Sequence, residues 1–63
     1  MEKANQDIRD AINEAGVRHW QVAEKMLMSE SVFCRMLRRE LDDRMKKIIL
    51  EAVEVVKREN MEG

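Results

Sequence analysis

Few side chains in this sequence have the company that chemistry needs. It holds one histidine, His19, and one cysteine, Cys34. Two such residues cannot supply the four ligands of a usual zinc site. They can be imagined as a base and a nucleophile, but no third group and no oxyanion device accompanies them. No serine, cysteine or histidine grouping resembles a catalytic triad, and no glycine-rich loop is present to cradle a phosphate. The expectation is no enzyme, no cofactor and no metal. The six methionines, four of them from Met26 to Met45, read as core filler.

What remains is charge, and it is unevenly spread. The net charge is −1, yet residues 17–39 carry +3 between flanks of −2 each. A basic centre between acidic flanks is one appearance of a small DNA reader. A solvated mixture of charges without a partner is the other reading.

The stretch Val17 to Arg39 predicts the scaffold for that charge: two short helices, about 18–26 and 30–38, joined by a tight turn. Val22, Ala23 and Met26 form the apolar stripe of the first. Ser29 stands as N-cap of the second, where its hydroxyl can accept from an unpaired amide of the first turn. Glu30 follows, favoured there by the helix dipole. Val32, Phe33, Met36 and Leu37 make the buried stripe, leaving Glu30, Ser31, Cys34, Arg35 and Arg38 on the other face.

With Ala23, Met28, Ser29, Phe33 and Met36 in these places, the stretch resembles the helix-turn-helix of the Cro and phage-repressor (XRE) family. The small residue is Ala23, the apolar residue and cap are Met28 and Ser29, and the anchors are Phe33 and Met36. The likeness is closest to small mobile-element proteins of Gram-positive bacteria and covers roughly residues 5–58. The family places glycine in the turn where this chain has Leu27. A left-handed Leu27 would be strained; a helical one would pack on Trp20.

The remaining elements follow from pattern. A first helix is expected at about 5–15, with Ile8, Ala11, Ile12 and Ala15 on one face and Asn5 as N-cap. Gly16 ends it in the left-handed conformation, with Val17 touching Ile12. A last helix is expected at about 43–59, capped by Asp42. Its apolar residues Met45, Ile48, Ile49, Ala52, Val53, Val55 and Val56 span about 160°. That arc is broad for one small core, so self-association through Val53 and Val56 is expected; the other reading is that a three-helix core uses the whole arc. Trp20 reads as a stacking platform or as a rim side chain against this helix; a lone aromatic favours the rim. Residues 60–63 are expected to fray.

The whole predicts an all-α fold: one domain over 1–63, a small four-helix bundle. By resemblance it is a lambda-repressor-like DNA-binding domain. No apolar run approaches the roughly 20 residues of a membrane span. The N-terminus is too polar for a signal peptide, and a single cysteine fits a reducing compartment, so the expected location is the cytoplasm.

The resemblance implies a sequence-specific double-stranded DNA-binding protein of a phage or mobile element. Its job would be transcription regulation, or excision and DNA recombination as an accessory factor beside a recombinase. Base edges would meet Glu30, Ser31, Cys34 and Arg35; phosphates would meet His19, Ser29, Arg38 and Arg39. A homodimer or cooperative array is expected, since one small chain offers few contacts. The alternative is a protein-binding helical bundle, such as an anti-repressor, that keeps the shape but not the ligand.

Overall fold

The computed structural model describes residues 4–62, which form four α-helices and, among the described residues, no strand. The helices are α1 (Gln6–Ala15), α2 (His19–Lys25), α3 (Glu30–Met36) and α4 (Asp43–Glu62). The long α4 packs against α1 and α2, and α2 packs against α3, giving a small four-helix bundle.

The core is built from helical i, i+4 and i, i+3 pairs. Ile8 and Ile12 come from α1, Val22 and Ala23 from α2, Phe33 from α3, and Ile49, Val53 and Val56 from α4. Val17 and Leu37 close it from the connections. Phe33 is fully buried and is the only side chain of α3 that is, so one aromatic anchors this short helix. Burial of a side chain that size contributes about 1.5–3 kcal/mol.

Two of the three connections begin with the same device. At the end of α1, Gly16 adopts φ 71°; its N–H donates to Asn13 O (3.1 Å) and that of Val17 to Ile12 O (3.3 Å). At the end of α2, Leu27 adopts φ 59°; its N–H donates to Glu24 O and that of Met28 to Ala23 O, both at 3.0 Å. Both are Schellman ends, in which a left-handed residue turns the chain so that two late carbonyls are satisfied. Glycine performs it without a Cβ; leucine performs it 94% exposed, its side chain away from Trp20 and the core. Of the two expected forms, the turn has the one with Leu27 left-handed.

The helix starts are side-chain work. Ser29 Oγ accepts from Val32 N–H (3.3 Å), and Asp42 Oδ1 accepts from Met45 N–H (2.8 Å). Gln21 Oε1 accepts from Arg18 N–H (3.0 Å) at the start of α2.

Asn5 departs from the expected role. It precedes α1 with φ 58°, but its side chain does not cap the helix. It is fully buried and reaches across to the α3–α4 connection. Its Nδ2 donates to Leu37 O (2.9 Å) and Arg39 O (2.7 Å), and its Oδ1 accepts from Leu41 N–H (2.8 Å). Its backbone N–H donates to Glu40 Oε1 (2.9 Å). A side-chain amide can donate and accept at once, so it substitutes for the backbone partners an irregular segment lacks.

Helix bounds shift at other ends too. α2 is shorter than 18–26 because Arg18 is extended and Met26 leaves helical geometry. α3 stops at Met36, so Arg38 and Arg39 lie beyond it, not in its last turn. α4 continues to Glu62, past the expected end at 59; Gly63 lies outside the described residues, as do Met1, Glu2 and Lys3. The continuation has tertiary support: Glu59 and Asn60 are held to α2 by Lys25 Nζ (2.6 Å) and Gln21 Nε2 (3.3 Å).

Candidate nucleic-acid interface

Glu30, Ser31, Cys34, Arg35 and Arg38 line one shallow depression on the outer face of α3. All five are exposed. With Phe33 buried, helical spacing puts positions 30, 31, 34 and 35 on the opposite side, and Arg38 joins them from the turn just beyond the helix. Among the described residues the ion pairs join Lys25 to Glu59 and Lys46 to Asp7 and Glu40. Arg35, Arg38 and Arg39 thus make no ion pair among the described residues.

Glu30 also borders a second depression, shared with Asn13, Arg18, His19 and Trp20. His19, at the start of α2, thus lies beside the start of α3. Its ring stands edge-on to Phe33, centroids 5.9 Å apart at 82°, which seats the half-buried imidazole against the core. Ser29 spends its oxygen on the cap, but its hydroxyl hydrogen remains available to an outside acceptor. Arg18 was not singled out by sequence; its place beside His19 comes from the extended residue that starts α2.

Arg38 and Arg39 sit on a stretch that is not helical, yet it is held. Arg38 N–H donates to Arg35 O (3.2 Å) and Arg39 N–H to Met36 O (3.4 Å). Arg9 Nη2 joins Asn5 in donating to Leu37 O (3.3 Å). Next to them, Lys46 Nζ donates to Asp7 Oδ2 (3.2 Å) and pairs with Glu40. The Lys46 ammonium holds the Asp7 carboxyl below its ordinary value. The Asn5 N–H and then Lys46 do the same for Glu40. Glu40 and Asp7 in return raise Lys46. The start of α1, the end of α3 and the first turns of α4 are tied together directly behind the two arginines.

The expected seam on α4 is corrected. Val53 and Val56 are each 2% exposed and belong to the core, so neither is available to a second chain. The large apolar residues that α4 shows to solvent are Ile48, Leu50, Val55 and, near its end, Met61. Trp20 is 52% exposed and shares a groove with Val56 and Glu59, a rim position against α4.

Among the described residues no cluster of three or more His, Cys, Asp or Glu could hold a metal ion. No described helix is long and apolar enough to cross a membrane. No protein-family model, curated protein or solved structure matches the chain.

Proposed function

We propose that the chain binds double-stranded DNA sequence-specifically, with the outer face of α3 entering the major groove. One observation carries this reading: Glu30, Ser31, Cys34, Arg35 and Arg38 share a single exposed surface whose arginines make no ion pair among the described residues. Arg35 is the principal base reader, since a guanidinium can bond both major-groove acceptors of guanine. Glu30 accepts from a cytosine amino group or excludes other bases. Ser31 and Cys34 complete the surface that meets base edges. His19, Ser29, Arg38 and Arg39 hold phosphates, which fix register and supply affinity without reading sequence.

The resemblance to phage-repressor helix-turn-helix proteins supports a role on a phage or mobile element in the cytoplasm. The job is transcription control or excision beside a recombinase. A homodimer or a cooperative array supplies the contacts that one small chain lacks.

A fluorescence titration against random duplex at stepped salt tests binding itself. Neutralising about two phosphates per chain through Arg38 and Arg39 gives a log–log salt slope near −2 at about 0.9 per phosphate. The exposed Trp20, Ile48 and Val55 favour one rival, a bundle that docks on protein. That rival predicts no binding to duplex at any salt.

A further inference from the structure

We propose that the outward face of α4 pairs with the same face of a second copy of this chain, antiparallel and in one register. Asp43, Lys47, Leu50, Glu54 and Arg58 recur at spacings of four, three, four and four. At 100° per residue they fall within an arc of about 80°. All five are exposed and line one shallow groove along the helix. Ile49, Val53 and Val56 point the other way, into the core.

Along the helix this face reads acid, base, leucine, acid, base. Asp43 and Arg58 are equidistant from the midpoint between Leu50 and Glu51, and so are Lys47 and Glu54. A two-fold axis through that midpoint sets Asp43 against Arg58 of the second copy and Lys47 against its Glu54. Symmetry repeats both pairs, and the two Leu50 side chains meet at the axis. A parallel arrangement in register would instead set Asp43 on Asp43 and Lys47 on Lys47. The charge order therefore selects the antiparallel dimer and repels the parallel one.

These four charges make no ion pair among the described residues. The ion pairs among the described residues use Lys25, Glu59, Lys46, Asp7 and Glu40. One leucine per copy and solvated ion pairs make the association weak and sensitive to salt. The proposal stands apart from DNA binding, because it is tested with no DNA present.

The experiment is equilibrium sedimentation of the full chain at low salt through the high micromolar range, with circular dichroism to confirm that each variant is folded. The unmodified chain should show a reversible monomer–dimer equilibrium that added salt weakens. Lys47→Glu and Glu54→Lys should each weaken it about tenfold or more, by placing like charges face to face. An equimolar mixture of the two variants should recover the dimer, since each interface then regains opposite charges at both pairs. A monomer at every concentration would overturn the proposal. So would a dimer indifferent to both variants, or a mixture that recovers nothing.

Discussion

At the scale of single residues, Leu27 and Asn5 are, among the described residues, the two places where a non-glycine residue sits in the left-handed region. A Cβ there costs on the order of 1–2 kcal/mol. Leu27 is 94% exposed and has no packing to lose. Leu27→Gly should therefore leave stability unchanged or raise it by up to about 1 kcal/mol, the relief of strain being partly offset by a freer unfolded chain. A urea melt checks this, and a loss above about 2 kcal/mol, in the range of core truncation, would contradict it. Asn5 is the opposite case, because its strain is compensated by three side-chain hydrogen bonds. Asn5→Ala should cost about 2–3 kcal/mol by stranding backbone groups of the α3–α4 connection. Asn5→Asp should not restore it, since a carboxylate cannot donate to Leu37 O and Arg39 O. The caps Ser29 and Asp42 and the stop at Gly16 were legible in sequence because their partners lie within five residues. Asn5 was not, because its partners lie 32 to 36 residues away. Nothing local distinguishes such an asparagine from a helix cap.

At the scale of elements, α4 shows what periodicity can and cannot carry. Its apolar arc correctly marked a helix, yet the arc does not say which residues meet a neighbour. α1 and α2 lie against α4 and, with the rest of the core, leave Val53 and Val56 inside and Ile48 and Val55 at the edge. α4 is also where pH acts on the fold. Asp7 and Glu40 titrate below their ordinary 3.8 and 4.5 when folded. Their contribution is complete above those values and is lost as pH falls through the lower folded ones. Lys46 titrates above its ordinary 10.5, so its contribution is complete below that pH and is lost as pH rises through the folded value. Replacing Lys46 with Met should accordingly lower the urea midpoint at neutral pH. The gap from the unmodified chain should narrow below about pH 4, where the carboxylates begin to protonate in the unfolded state. An equal gap at both pH values would show that Lys46 acts through its aliphatic stem rather than its charge.

At the scale of the whole molecule, a 63-residue chain buries only about 60% of the surface its unfolded form exposes. Little stability is left to support a built cavity, and the proposed function accordingly uses the surface. The fold concentrates its means there. Phe33 anchors α3 from beneath, and Asn5 and Arg9 fasten its C-terminal end. Lys46 braces the neighbouring connection through Glu40. The net charge of −1 conceals this arrangement, because acidic residues dominate the flanks while Arg35, Arg38 and Arg39 lie on and just beyond α3. The face of α3 was legible in sequence as the complement of Phe33, Met36 and Leu37, although Val32, expected in that buried stripe, is 48% exposed. What it reads is a matter of partner and is decided by binding. The most direct measurement is selection from a randomised duplex pool by the unmodified chain and by Arg35→Ala in parallel. The account predicts an enriched site for the unmodified chain. Arg35→Ala should lose the preference at one guanine-containing base pair of that site, with about 1–3 kcal/mol of affinity lost there. No enriched sequence, or the same enriched sequence with and without the guanidinium, would contradict the claim that α3 reads DNA through Arg35.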